Sequence, residues 1–218
     1  MKMLLAKFVD LCFPKLCVGC FRIGGYLCLS CRAGLRVLEQ QECPLCRKAS
    51  KRGRFCCENN FYFDQMLVAL RYEKNGLLKK LLVLFKYKYA EDLAPVLAQF
   101  LKNLLDEDFL LVPVPLDKRK LKQRGFNQSK LLAQELGPVT DCLKRKVHLK
   151  RQAGLTRKDR LNNLDGIFSL KAGFDLKGKK LILIDDVATT GTTLNECSKV
   201  LKEAGVEFIC ALVLARGR

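Results

Sequence analysis

Tryptophan is absent from the 218 residues, and His148 is the single histidine. Base stacking on this chain would therefore rest on tyrosine or phenylalanine, Phe126 among them. The histidine lies in a Lys/Arg-rich run and reads as a surface residue. No stretch approaches the roughly 18 consecutive apolar residues of a membrane span, which predicts a protein that is not integral to a membrane. The start, MKMLLAKFVDLCF, is interrupted by Lys7 and Asp10 and shows no small-residue cleavage site. It does not read as a secretory signal, so a cytoplasmic protein is expected. Acids are scarce as well: 22 Asp and Glu face 40 Lys and Arg, a net charge of +18. An imbalance of that size points to a polyanionic partner, nucleic acid above all.

Cysteine is plentiful, and nine of the twelve fall before residue 58. Cys17, Cys20, Cys28 and Cys31 give C-x2-C-x7-C-x2-C, in which each pair places two thiolates on one tight knuckle and two knuckles complete a tetrahedron around Zn2+. About 60 residues with so few core apolars need such a staple to fold. Cys43 and Cys46 form a further knuckle, but its partners are the adjacent Cys56 and Cys57, which can share one metal only with strained backbone geometry. Three outcomes are open: a second four-cysteine zinc, which is preferred, a three-cysteine site with an outside ligand, or no second metal. Closed cysteine sites imply structural zinc without a catalytic water. Arg47, Lys48, Lys51, Arg52 and Arg54 make the module basic, either as solvated charge or as a nucleic-acid surface. Residues 1–60 are read as this module and 61–218 as an α/β domain.

Leu181 to Thr193, LILIDDVATTGTT, carries the chemistry. Four buried-strand residues precede two carboxylates, a Thr/Gly loop follows, and Leu194, Cys197, Leu201 and Ala204 then recur at helical spacing up to Gly205. Unpaired N–H groups at a helix start, with its positive dipole end, suit a phosphate. Ala188, Thr189, Thr190, Gly191, Thr192 and Thr193 form that cradle. Asp185 and Asp186 would accept hydrogen bonds from sugar hydroxyls or hold Mg2+. Phosphate on one side and diol on the other describe a phosphorylated ribose. The stretch resembles the phosphoribosyl pyrophosphate (PRPP) motif of type I phosphoribosyltransferases, in which the acids contact the ribose hydroxyls and the loop wraps the 5′-phosphate.

Around the motif, Met66–Tyr72, Phe109–Val114, Phe168–Leu170 and Val206–Ala215 read as strands. Leu77–Phe85, Glu91–Leu105 and a segment from about Asn127 to Leu136 read as helices, with Pro95 tolerated only in a first turn. Strand, helix and strand in short succession predict a parallel sheet and a Rossmann-like fold. Gly173-x4-Gly178-Lys179 imitates a P-loop, yet Lys180 stands where Ser or Thr is needed and the glycines precede a strand. Between Asp117 and Arg160 the net charge is about +10. Lys118, Arg119, Lys122 and Arg124, read as a loop after the strand, and Arg151, Arg157 and Arg160 are candidates to meet pyrophosphate or nucleic acid.

VPVPL with RGFNQ (Arg124 to Gln128), Gln152, Leu155, Arg160, Asn163 and Phe168 at their spacing, the IDDVATTGTT motif and the N-terminal cysteines together resemble the ComF (ComFC) family of bacterial competence proteins. The resemblance spans nearly the whole chain. It implies a type I phosphoribosyltransferase-like domain behind a zinc ribbon, with the loop after Pro115 as pyrophosphate loop and Lys144 to Asn163 as a mobile hood. It further implies a role in DNA uptake, with single-stranded DNA bound near the inner face of the membrane and a protein partner in the competence machinery, such as a helicase. The alternative is an active transferase using Asp185 and Asp186 on PRPP and Mg2+ with an unnamed base or amine acceptor.

Overall fold

The computed structural model describes residues 14–87, 90–105, 108–146 and 166–217. In chain order these build α1 (Leu29–Ala33), β1 (Gln65–Leu70), α2 (Leu77–Tyr87), α3 (Ala90–Lys102), β2 (Leu110–Pro113), α4 (Lys118–Arg124), α5 (Gln128–Leu136), β3 (Leu143–Arg145), β4 (Phe168–Leu170), β5 (Lys180–Ala188), α6 (Thr192–Glu203) and β6 (Phe208–Arg216). Strands β1, β6, β5 and β2 lie side by side in that order, and every neighbouring pair is parallel. The acid-bearing strand β5 is thus interior.

A parallel sheet is stable only when both faces are covered, and its strands then read as continuous apolar runs. Alternation along β5 divides the core accordingly. Ile182 and Ile184 join Leu81, Phe85, Leu97, Leu101 and Leu132 from α2, α3 and α5 on one face. Leu181 and Leu183 join Leu194, Cys197 and Leu201 from α6 on the other. The expected strands agree with β1, β2, β4 and β6 to within about two residues. β4, however, pairs with β3 in a separate antiparallel ribbon, and β3 had no strand reading.

Two expectations are corrected. The basic segment after Asp117 is not a loop but the helix α4. Asp117 caps it by accepting from the Arg119 N–H at 2.9 Å, and Gly125 ends it in a left-handed conformation (φ 82). Pro95 sits well inside α3, as its sixth residue. It faces solvent, as does Glu91, whose carbonyl loses the helix bond to it, while Leu93, Leu97 and Leu101 anchor the buried face. Packing outweighs the local breaker here. In β2, Pro113 falls on an edge strand, where a missing N–H costs no ladder bond.

The other edge, β1, is covered by the cysteine-rich segment. Leu38 N–H donates to Ala69 C=O and Arg71 N–H to Arg36 C=O. One residue earlier along β1 the Gln41 side chain acts as a strand surrogate: its Oε1 accepts from Val68 N–H at 2.9 Å and its Nε2 donates to Val68 C=O at 3.0 Å. Edge pairing of this kind prevents association through exposed backbone groups. Gln41→Ala should therefore lower stability by about 1–2 kcal/mol, the cost of leaving such groups unpaired. Urea denaturation of the metal-loaded protein measures it, and an unchanged midpoint would refute this role for Gln41.

Candidate functional site

β5 carries the acidic pair to the carboxyl end of the sheet, where open α/β sheets bind ligands. Asp186 drops out of the register with β6, which pairs Asp185 with Val213 and Val187 with Ala215. Its N–H donates instead to Asp185 Oδ1 at 2.9 Å. The same Oδ1 accepts from the Ser129 hydroxyl of α5 at 2.8 Å. Lys86, at the end of α2, places its ammonium 2.6 Å from Asp186 Oδ2. The acids therefore face different partners. Burial, reinforced by the neighbouring Asp186 charge, pushes the Asp185 carboxyl up to about 7, with Ser129 and Lys86 opposing the rise.

Beyond Ala188 the chain turns into α6 through Gly191, whose φ of 80 favours glycine. Thr190 and Thr192 share a 2.7 Å hydroxyl contact, and the Thr192 N–H points to Thr190 Oγ1. The N–H groups of Thr193 and Leu194 have no protein partner among the described residues. Thr189 and Thr190 are exposed. Open donors at the start of a twelve-residue helix are suited to a phosphate. Behind it stands an aromatic group in which Phe61 lies 5.0 Å from Phe63 and 5.4 Å from Phe55. A Cβ at Gly191 would come within 3.5 Å of Phe61. Asn195 of α6 accepts from the Tyr62 N–H at 2.7 Å, which pins the same linker to the helix.

The basic residues divide. Lys118, Arg119 and Lys122 are exposed on α4 and form no ion pair among the described residues. Arg124 is held: its Nη1 donates to Gln128 Oε1 at 3.1 Å and its guanidinium lies 5.1 Å from the Tyr87 ring centre. Gln128 in turn reaches the Lys86 carbonyl at 3.5 Å, so Arg124 braces the segment that delivers Lys86 to Asp186. Arg151, Arg157 and Arg160, with His148, Gln152, Leu155 and Asn163 of the hood, lie outside the described residues.

Eight of the nine cysteines before residue 58 form two quartets, Cys17, Cys20, Cys28, Cys31 and Cys43, Cys46, Cys56, Cys57, each with its sulfurs within 4.8 Å of one another. Sulfur separations of 3.6 Å for Cys20 and Cys28 and 3.4 Å for Cys46 and Cys56 are close to the edge of a tetrahedron with Zn–S bonds of about 2.3 Å. Despite burial, backbone N–H donors, Cys28 foremost, hold Cys17 down to about 6, and Cys56 leads the donors that do the same for Cys43. Cys31 and Cys56 are pushed up to about 12 by thiol hydrogen bonds, chiefly with Cys17 and Cys46 respectively. Four thiols crowded this closely cannot all ionise unless a cation joins them. Neither Cys56 nor Cys57 has a positive φ, so the expected strain is not there; Phe21 (φ 62) and Arg47 (φ 61), each following a knuckle, take it instead. The second quartet is fastened to the end of β6. Arg216 donates to the Cys43 carbonyl at 3.2 Å and also to Pro44, and Arg47 donates to the Gly217 carbonyl at 2.8 Å.

Comparison with known proteins agrees with this picture. The phosphoribosyl transferase domain family matches residues 121–218. Competence protein F of Haemophilus influenzae is 31% identical over 224 residues, covering 88% of this chain and 97% of that protein. The chain belongs to the ComF/ComFC competence protein family. ComFC of Bacillus subtilis is 31% identical over 191 residues, covering 82% of this chain and 79% of that one. DNA utilization protein YhgH of Escherichia coli K12 is 33% identical over 112 residues, 49% of this chain and 48% of its own length. A solved purine phosphoribosyltransferase from Pyrococcus horikoshii covers 60% of this chain and 84% of its own at 18% identity and a TM-score of 0.35, too loose a likeness to bear on function. This ComF-family chain has the α/β phosphoribosyltransferase fold with a four-stranded parallel sheet and an N-terminal cysteine-rich module. No helix of its described residues is long and apolar enough to cross a membrane.

Both expected cysteine quartets assemble, and Asp185, Asp186 and the Thr189 to Thr193 loop meet at one strand end. Sequence reasoning missed Lys86, Ser129 and Asn195. Ser129 carries a faint signal, in the first turn of a helix capped by Asn127; Lys86, one lysine among several in a basic chain, carries none. The Asp185 proton yields a test. Its folded value exceeds the usual carboxylate value, so the folded chain binds more protons than the unfolded one between roughly pH 4 and about 7, and stability falls as pH rises through that window. Asp185→Asn should remove this slope, raising the ligand-free Tm at pH 8 while changing it little at pH 4. An equal shift at both pH values would contradict the buried-acid assignment.

Proposed function

We propose that this protein handles single-stranded DNA in natural transformation, binding the strand through its basic surfaces and a phosphoribosyl group, with PRPP as its free ligand, at Asp185 to Thr193. The observation that carries this reading is a juxtaposition. The open loop after β5 and Lys118, Arg119 and Lys122 of α4 after β2, which form no ion pair among the described residues, lie at the same end of one parallel sheet. Cations in a row neutralise a nucleic-acid backbone, and the loop takes a terminal or free ribose phosphate. The names of the competence and DNA-utilization relatives support the same reading. The cysteine quartets then hold two structural Zn2+ ions. The protein works in the cytoplasm at the inner membrane face, beside a protein partner such as a helicase.

Mg2+ bound with PRPP fits the residues present, since it is usually held by one or two carboxylates and the substrate's phosphates. Asp185 and Asp186 supply the carboxylates, and the ion would neutralise the pyrophosphate. Lys86 now occupies Asp186 Oδ2, so it must withdraw when ribose hydroxyls or Mg2+ reach that oxygen. Mg2+ with PRPP should raise the Tm, and Asp186→Asn should abolish the rise. No shift at millimolar PRPP would sink the phosphoribosyl reading.

DNA binding is tested separately by fluorescence anisotropy with an oligothymidine. Affinity should fall steeply with salt, and neutralising Lys118, Arg119 and Lys122 together should reduce the log–log slope by about 2. Binding indifferent to salt would refute it. The acidic pair favours a second reading, an active phosphoribosyltransferase. In that case a nitrogen of a base or amine attacks C1′ and pyrophosphate leaves with the bonding electrons, while Asp185 and Asp186 orient the sugar hydroxyls. Release of pyrophosphate dependent on an added acceptor would identify that activity.

A further inference from the structure

A groove of about 890 Å3 lies beside the phosphate loop, between the cysteine-rich segment and the carboxyl ends of β1 and β6. Leu38, Leu70 and Tyr72 give it an apolar lining. Arg36, Arg47, Arg71, Lys74 and Arg216 line it with positive charge, against Glu42 and Glu73. Arg36 touches Glu73 at 3.3 Å, but both side chains are well exposed, so that pair is weak. Arg71 and Lys74 are exposed and form no ion pair among the described residues. Arg216 spends its terminal nitrogens on the Cys43 and Pro44 carbonyls, yet its Nε is buried without a partner. A buried guanidinium N–H without an acceptor is costly, and an anion in the groove would supply one.

The groove continues the candidate site. Ala188, where the phosphate loop starts, pairs with Arg216 of β6, and the preceding Ala215 pairs with Leu70 of β1. Two strand spacings, about 10 Å, therefore separate the loop from the end of β1. A ligand seated in both places must carry more than one phosphate along a flexible backbone. Guanidinium forks beside an aromatic and aliphatic lining suit phosphodiesters flanked by bases.

We propose that this groove is a second phosphate-binding site, the track that carries the nucleotides of single-stranded DNA next to the one held at the phosphate loop. The assignment rests on the DNA-binding reading above and locates a path for the strand. Arg71 and Lys74 contact phosphodiesters, Tyr72 offers a face to a base, and Arg216 completes its hydrogen bonding on the same strand.

The test uses the full-length, zinc-loaded protein and a dye-labelled oligothymidine, with anisotropy read across a salt series. R71E/K74E should weaken binding at least tenfold and reduce the log–log salt slope by about 1.4, the loss of two single-strand phosphate contacts. K177E/K179E makes the same charge change among exposed residues leading into β5, at the opposite end of the sheet, and should leave the affinity within about threefold. The PRPP-induced Tm shift of R71E/K74E should match that of the starting protein, which separates loss of the groove from loss of the fold. Equal weakening by both double variants, or none by R71E/K74E, would overturn the groove while leaving DNA binding standing. Failure of the unaltered protein to bind the oligonucleotide would overturn both.

Discussion

Two carboxylates at the buried end of an interior strand are the constraint on which the rest of this structure depends. Neither can remain charged there without compensation. The chain meets the demand from one face of the sheet: Ser129 comes from α5 and Lys86 from α2. Gln128 and Arg124 then fix the segment that presents Lys86. The elements that read as plain scaffold therefore set the electrostatics of the acidic pair. Raising the Asp185 carboxyl to about 7 leaves the ligand-free site close to neutral once Lys86 is counted, although the chain as a whole is strongly basic.

The cysteine-rich module is joined to the same problem. A four-stranded parallel sheet leaves two edges, and β1 would expose its backbone without Arg36, Leu38 and Gln41 pairing along it. Having docked there, the module reaches the strand ends. Its second quartet is fastened to Arg216 and Gly217, and the linker carrying Phe61 backs Gly191 of the Thr/Gly loop. Metal in that quartet would thus stiffen the far wall of the candidate site as well as fold the module. The module is structural in its chemistry and still contiguous with the site.

How much was legible in the sequence follows from how local each feature is. LILIDDVATTGTT declares itself because strand, acids, glycine and helix are consecutive, and each has its own signature. The quartets are legible from C-x2-C spacing, even where Cys56 and Cys57 depart from it. Helix α4 was not, since KRKLKQR has too few apolar residues to show a period; its cap Asp117 and its terminator Gly125 were the signals available. Pro95 misled because local propensity is a weak prior against a buried face as apolar as that of α3. Lys86 and Arg216 act on residues 100 and more than 170 positions away in the chain, and no sequence window contains both ends of such a contact.

Lys86 also explains how the site can be stable empty and still receptive. The Lys86 side chain is 27% exposed and the Asp186 side chain 12%, with the paired Oδ2 itself buried, so Lys86 shields the acid from solvent. A ligand that brings hydroxyls or a divalent cation must first displace it, and the apparent affinity is the intrinsic one scaled down by the fraction of molecules in which Lys86 has withdrawn. Phosphate contacts made by the Thr loop do not pay this cost, because their donors are already open. Under the proposed function, recognition at this site would therefore be led by the phosphate, with the sugar engaged second. That order suits any ligand that first arrives as a polyanion.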